Sequence, residues 1–175
     1  MAPSSQTRPS VKISLPSDQE IAMTRVFDAP REMVFDALTR PELVKRWFGP
    51  PPERGWSVDL CEADVRVGGA WRIVLRNTKG TQMALHGVYR EIVRPERFVA
   101  TQLMEGCDGQ GAAEAVATTS LTEAGGGMTK FTNTVIYPSK DVRDAVLKAG
   151  GATEESMSAV YDKLAALLAT GGRSS

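Results

Sequence analysis

The chain has 175 residues, of which 42% are hydrophobic and 24% are charged, a composition typical of one globular domain with its own core. Lys plus Arg and Asp plus Glu each number 21, so no net charge attracts the chain to nucleic acid or an anionic membrane. Its two cysteines are too few for a disulfide framework, and no apolar run approaches the roughly 20 residues that cross a bilayer. We therefore expect a cytoplasmic domain with no nucleic-acid or membrane partner.

The amino-terminal segment is rich in Ser and Pro and has few side chains that can be buried, so residues 1–18 are predicted to form a disordered tail. This segment lacks the apolar stretch of a secretory signal. Residues 20–27 then alternate between apolar and polar side chains, which predicts a half-buried strand. We expect one folded domain over residues 19–170 and a second disordered tail over residues 171–175.

Two short helices are predicted after this strand. Asp28 stands two residues before Pro30, so its side chain is placed to cap a helix that begins there. Because the residue before a proline avoids the α-helical region, this helix is predicted to end at Arg40. The second helix is predicted over residues 41–48, since Gly49 and the prolines that follow it break the helical pattern.

The middle of the chain has the pattern of consecutive antiparallel strands separated by turns that contain Gly or Pro. The predicted strands are residues 56–65, 70–76, 82–93, 98–104, 114–122 and 128–137. Trp71, Ile73 and Leu75 share one face of their strand, which we predict to be the face toward the core. Residues 106–111, which include Cys107, are predicted to form a mobile loop.

Two further helices are predicted near the carboxyl end. Ser139 is placed to cap the first, which ends before Gly150. Thr153 is placed to cap the second, and Glu154 lies in its first turn, where the helix dipole favours negative charge. Apolar residues of the second helix recur at spacings of three and four, which is typical of a helix packed on a sheet. These residues are Met157, Val160, Tyr161, Leu164, Leu167 and Leu168.

Four segments resemble a known family in their order and spacing. They are residues 24–50 (TRVFDAPREMVFDALTRPELVKRWFGP), 64–71 (DVRVGGAW), 86–99 (HGVYREIVRPERFV) and 161–169 (YDKLAALLA). The chain is similar to the bacterial homologues of the activator of heat-shock-ninety ATPase, a branch of the START-like, birch-pollen-allergen-like (SRPBCC) superfamily. The resemblance implies an α+β helix-grip fold, in which a curved antiparallel sheet wraps around a long carboxy-terminal helix and encloses a cavity. Two short helices follow the first strand of that fold.

No catalytic or metal-binding constellation is visible in the sequence. His86 is the only histidine, and alternation along its strand places His86 on the face of Ile92 and opposite Tyr89. A compact proton-transfer pair of His86 and Tyr89 is therefore not expected. Asp59 and Cys61 lack the further ligands that complete a tetrahedral site. We predict no catalytic residue, no metal and no cofactor.

Aromatic and adaptable side chains give the better argument for a binding site, because ligand cavities are mostly apolar with a few polar groups. The candidate ligand-binding residues are Trp47, Trp56, Trp71, His86, Tyr89, Met157 and Tyr161. Core packing is the alternative interpretation of the tryptophans and of the helical residues, since amphipathic helices usually close a core.

Three functions are compatible with these residues. The first is a non-enzymatic domain of the bacterial cytoplasm that binds a hydrophobic small molecule between the sheet and the last helix. The family resemblance implies the second, a co-chaperone module of the stress response that docks onto a heat-shock ATPase. Related branches of the superfamily imply the third, a cyclase or aromatase that orients a reactive chain with cavity groups such as Arg72, His86 or Tyr89. A monomer and a homodimer are both compatible with the sequence.

Overall fold

A computed structural model of the chain describes residues 10–50, 52–106, 113–150 and 152–171. Residues 1–9 of the predicted tail at residues 1–18, residues 172–175 of the predicted tail at residues 171–175, and most of the predicted loop around Cys107 lie outside the described residues. The strands are β1 (Lys12–Ser14), β2 (Glu20–Phe27), β3 (Trp56–Ala63), β4 (Ala70–Asn77), β5 (Gln82–Val93), β6 (Arg97–Glu105), β7 (Ala115–Glu123) and β8 (Thr129–Ile136). The helices are α1 (Arg31–Thr39), α2 (Pro41–Trp47), α3 (Lys140–Lys148) and α4 (Glu154–Ala169), with a 3-10 turn at Pro52–Arg54.

The strands form one antiparallel sheet in the order β1-β2-β8-β7-β6-β5-β4-β3. Strands β3 to β8 follow one another as hairpins, whereas β2 pairs with β8 and so brings the start of the domain to its end. The α-helices cover one face of this curved sheet, which we call the inner face. The predicted α+β helix-grip fold is confirmed.

The core lies between the inner face and the long helix α4. Phe27, Phe131 and Leu164 are almost completely buried, as expected for large apolar side chains between two layers. The ring of Tyr161 on α4 has its centroid 5.1 Å from that of Phe131 and 6.3 Å from that of Phe27. Trp47 of α2 packs on the same tyrosine at 5.6 Å. One helical residue thus joins two strands and a second helix.

The amino-terminal segment differs from the prediction of a disordered tail over residues 1–18. Residues 12–14 form β1 on β2, and Val11 is fully buried in the core. The backbone N–H of Val11 donates to Ser158 Oγ at 3.0 Å, so this segment is fastened to α4 as well as to the sheet. The composition argument failed because a single valine and a few backbone hydrogen bonds are enough to order so short a strand.

The helix caps follow the sequence in two of three cases. Ser139 accepts a hydrogen bond from the N–H of Val142, and Thr153 exchanges hydrogen bonds with Ser156 in a capping box, so both predicted caps are confirmed. The predicted cap at Asp28 is wrong. The residue at the amino-terminal cap of α1 is Pro30, whose side chain has no hydrogen-bonding atom. No side chain caps this end of the helix.

Strand β5 contains a bulge that changes which side chains face the core. The pairing with β6 shifts by one residue between Tyr89 and Glu91. Ile92 therefore joins Tyr89 on the inner face and packs against the core, whereas simple alternation had predicted that Ile92 shares the face of His86. The prediction that Trp71, Ile73 and Leu75 share the inner face of β4 agrees with the register.

A buried cation lies under α4. The side chain of Arg25 on β2 is 3% exposed, and its Nη1 donates to Asp162 Oδ1 at 2.8 Å. The same nitrogen lies 3.5 Å from the carbonyl oxygen of Ser158, and the guanidinium covers the ring of Phe27 at 5.2 Å. Its Nε has no hydrogen-bond partner within the described part of the chain. Asp162 is thus the main compensation for a charge that folding removes from water.

We expect the Asp162→Ala variant to lose about 1–2 kcal/mol of unfolding free energy, because it leaves the Arg25 guanidinium buried without its carboxylate. This is less than a fully buried pair would lose, since solvent screens the half-exposed Asp162. The double variant Asp162→Ala, Arg25→Met also removes the unpaired guanidinium, so it should recover most of the lost unfolding free energy. Urea unfolding of the wild type and the single and double variants measures both effects, and equal stability of all three would contradict this account.

Candidate functional site

The candidate site is the space between the first turns of α4 and the middle of the inner face. Met157 and Val160 point from α4 toward the sheet but are only half-buried. Gln102, Ala117 and Asn133, which share the inner face with buried core residues, are also only half-buried. These inner-face side chains therefore remain partly accessible to solvent.

Small side chains account for this opening. The register places Ala100 opposite Ala117, and Ala117 opposite Val135, in the centre of the sheet. These side chains are short, whereas Phe131, two inner-face positions before Val135 on β8, meets Tyr161 directly. From Tyr161 onward, α4 contributes buried residues to the core and contacts α1 and α2. Its amino-terminal half carries the half-buried Met157 and Val160 and is hydrogen-bonded to the segment of β1.

Polar groups at this floor are neutral. Asn133 Nδ2 donates to Thr119 Oγ1 at 3.0 Å between neighbouring strands. Burial raises the pKa of Tyr89 to about 12 and also raises the pKa of Tyr161. Both phenols therefore stay protonated at physiological pH. The site combines an apolar wall with hydrogen-bonding groups that carry no charge, as ligand pockets commonly do.

Five of the predicted site residues lie on the inner side. Trp47 and Tyr161 are buried against each other, and Trp47 Nε1 donates to the carbonyl oxygen of Ala37 at 2.8 Å. Met157 lies one turn before Tyr161 on α4. The remaining two are Trp71 and Tyr89.

Trp71 lies across the backbone of β5. Its register partner is Gly87, and its Nε1 donates over that glycine to the carbonyl oxygen of Thr101 at 3.2 Å. A Cβ at Gly87 would stand 1.8 Å from the Thr101 oxygen and 2.8 Å from the indole nitrogen, so only glycine fits. Tyr89 follows on the same face, with its ring centroid 6.2 Å from that of Phe98.

The structure separates His86 and Trp56 from this group. His86 points to the outer face, where its Nε2 lies 3.1 Å from Glu105 Oε1, and its register neighbour Arg72 shares that face. Trp56 is half-buried at the start of the edge strand β3, at the opposite end from the residues that pair near Trp71. Of the three residues proposed for cyclase chemistry, only Tyr89 reaches the inner side.

Sequence reasoning missed Gln102, Ala117 and Asn133. Each is a small or uncharged polar residue of a kind that occurs on either face of a strand, so its residue type gave no sign that its face was the inner one. The pairing register supplied that information. Once Phe131 is known to face the core, Asn133 must share its side of the strand.

Two other depressions lie on the surface of the described residues. A groove of about 430 Å³ runs between α1, α2 and the end of α4, with Ala37 and Leu167 in its floor and Arg40 and Glu42 at its rim. A second depression, of about 300 Å³, lies on the outer face of the sheet around Val74. At the rim of the groove between α1, α2 and α4, Arg40 and Glu42 form an ion pair, so each of these two charges compensates the other.

Within the described ranges, no group of three or more His, Cys, Asp or Glu side chains is arranged to hold a metal ion. No α-helix in that part of the chain has both the length and the apolar character required to span a bilayer.

Comparisons with known proteins agree with the geometry. The family model of activator of Hsp90 ATPase homolog 1-like protein matches residues 28–169. None of the curated proteins compared with the chain matches it significantly. A crystal structure of a protein from Rhodobacter sphaeroides is 28% identical, has a TM-score of 0.81, and is matched over 91% of this chain and 99% of that one.

Two further solved structures are similar in fold. A protein from Nitrosomonas europaea is 23% identical with a TM-score of 0.74, and the match covers 90% of this chain and 99% of that one. The AHSA1 protein from Silicibacter pomeroyi is 21% identical with a TM-score of 0.68, and the match covers 87% and 99%. At these identities the likeness shows the fold alone.

Cys61 lies on β3 opposite Ile73, and burial raises the pKa of its thiol to about 11. In a Cys107→Ser variant at pH 8, we expect iodoacetamide to alkylate Cys61 about 200-fold more slowly than the same thiol in urea, whose pKa is about 8.5. The rate in the folded protein should rise about tenfold per pH unit from pH 7 to 9.5, because the thiolate is the reacting form. Comparable rates in folded and unfolded protein would contradict this expectation and make Cys61 a candidate nucleophile.

Proposed function

The chain belongs to the family of activator of Hsp90 ATPase homolog 1-like proteins, whose model spans residues 28–169, and from this premise we propose that it binds a hydrophobic small molecule between the sheet and α4. One observation carries the proposal. Gln102, Ala117 and Asn133 lie on the inner face of central strands and are only half-buried, as are Met157 and Val160 at the edge of the core on α4. A domain that used α4 only to close its core would bury these side chains, as it buries Leu164.

The walls of this space favour an apolar ligand. Met157 adapts its shape to what it contacts, and the buried rings of Tyr161 and Trp47 hold the adjoining core in place by packing. A ligand that displaced water from these walls would gain the free energy of apolar burial without requiring the helix to move. Its binding would lower the heat capacity, which is the most robust sign of apolar burial.

We expect the Ala117→Phe variant to lose affinity for the neutral fluorescent probe 1-N-phenylnaphthylamine by at least about tenfold, because the added ring fills the space under Met157. Thr118→Phe is the matched control. Thr118 is the next residue of β7 and points to the outer face, so the same ring placed there should change the dissociation constant less than about twofold.

Fluorescence titration measures the affinities, and thermal unfolding checks that both variants remain folded. Calorimetry of the wild type should show a negative heat-capacity change. The proposal fails if the folded wild type does not bind the probe, or if Ala117→Phe and Thr118→Phe bind it equally well.

The family match favours a second candidate function, the docking of this domain onto a heat-shock ATPase of the Hsp90 class. If this candidate is correct, adding the purified protein to a bacterial chaperone of that class will raise its rate of ATP hydrolysis, and the two will elute together in gel filtration. The Ala117→Phe variant should stimulate as the wild type does, since its change lies inside the domain. If neither stimulation nor co-elution is observed, this candidate function is wrong, and the proposed binding site is unaffected.

A further inference from the structure

We infer that the molecule held between the sheet and α4 is uncharged and carries a hydroxyl or N–H group that donates a hydrogen bond to the side-chain oxygen of Asn133. The inference rests on the proposed binding site and specifies the chemistry of its ligand. It assigns the role of selecting the ligand to Asn133, with Thr119 as the residue that positions it.

Asn133 is the one half-buried side chain on the inner face of β8. Phe131 and Val135 flank it on the inner face, and both are buried. The half-buried amide is held in one orientation because its Nδ2 donates to Thr119 Oγ1 at 3.0 Å. That bond uses the nitrogen and leaves Oδ1 with no hydrogen-bond partner among the described residues. A carbonyl oxygen fixed in this way is a ready acceptor for a donor on a ligand.

Asn133 also lies where a ligand would be. The backbone N–H of Ile13 donates to Glu154 in the first turn of α4, and Ile13, Met23 and Asn133 occupy one register row across β1, β2 and β8. The first turn of α4 is thus tied to the edge strand β1, and Asn133 lies in the same register row two strands further into the sheet. Met157, at the next turn of the helix, is the half-buried side chain on that side of the space.

The charged side chains Arg25 and Lys163, near the space between the sheet and α4, already have hydrogen-bond partners. Arg25 is the one charged residue on the inner face of the described β2 and β8 strands, and its guanidinium donates to Asp162 at 2.8 Å. Lys163 on α4 donates to the carbonyl oxygens of Gly49 and Pro50 at 2.7 and 3.1 Å. An ionised ligand would lose its hydration without gaining a counter-charge, which is far more costly than burying a neutral one.

The test compares three ligands that share one ring system: 2-naphthol, 2-methoxynaphthalene and 2-naphthoate. Each competes with 1-N-phenylnaphthylamine at pH 7, where the naphthol is neutral and the naphthoate is an anion. We expect 2-naphthol to bind about 5–10-fold more tightly than 2-methoxynaphthalene, which cannot donate a hydrogen bond. We expect 2-naphthoate to bind at least about tenfold more weakly than 2-naphthol.

Asn133→Leu, which keeps the size of the side chain and removes the acceptor, should abolish the preference for 2-naphthol over 2-methoxynaphthalene. Thr134→Val is the matched control on the outer face of the same strand and should keep the preference. Thermal unfolding checks both variants, and Asn133→Ala replaces Asn133→Leu if the leucine variant does not fold.

The outcomes separate this inference from the proposal on which it rests. If 2-methoxynaphthalene binds and Ala117→Phe prevents it, the binding site stands. Equal affinities for the two neutral ligands, tighter binding of 2-naphthoate, or an undiminished preference in Asn133→Leu would each then overturn the inference alone. If none of the probes binds the folded wild type, the site and the inference are both overturned.

Discussion

The packing of Tyr161 against Phe27, Phe131 and Trp47 is the interaction on which the rest of this structure depends. It fixes the height of α4 above β2 and β8 and ties α2 to the same point. Aromatic rings in tilted contact bury large areas and resist rearrangement, so one residue sets the position of a whole helix. Arg25 and Asp162 add a polar contact beside it that sets the rotation of the helix about its axis.

This anchor divides the helix into two functional halves. Beyond Tyr161, Leu164, Leu167 and Leu168 are buried and contribute stability. Before it, Met157 and Val160 are only half-buried, as are Ala117 and Asn133 on the inner face of the sheet. Under the proposed function, stability and ligand binding depend on different residues of one helix, and substitutions at Ala117 or Asn133 need not weaken the core.

Sequence patterns predicted most of the fold, because the strands and helices of this chain are strongly periodic. The capping oxygens of Ser139 and Thr153 and the core parity of Trp71 could be inferred locally. Asn133 and Ala117 could not, because their importance depends on the pairing of β7 with β8 and on the height of a distant helix. Ile92 was placed on the wrong face since a bulge shifts the register by one residue, and no local pattern marks where a bulge occurs. His86 was a reasonable candidate by residue type, yet it points outward with Glu105.

The pairing of β2 with β8 has a consequence for how the chain is made. A ribosome releases β2 long before β8 and α4, so β2 has no neighbour from the sheet except β1 until synthesis is nearly complete. The hydrogen bond between Val11 and Ser158 likewise cannot form until Ser158, which lies 147 residues later, has been synthesised. Contacts of such long sequence separation slow folding, and the nascent chain exposes an apolar strand meanwhile. This protein is thus expected to acquire its tertiary structure only after release, in a single late step.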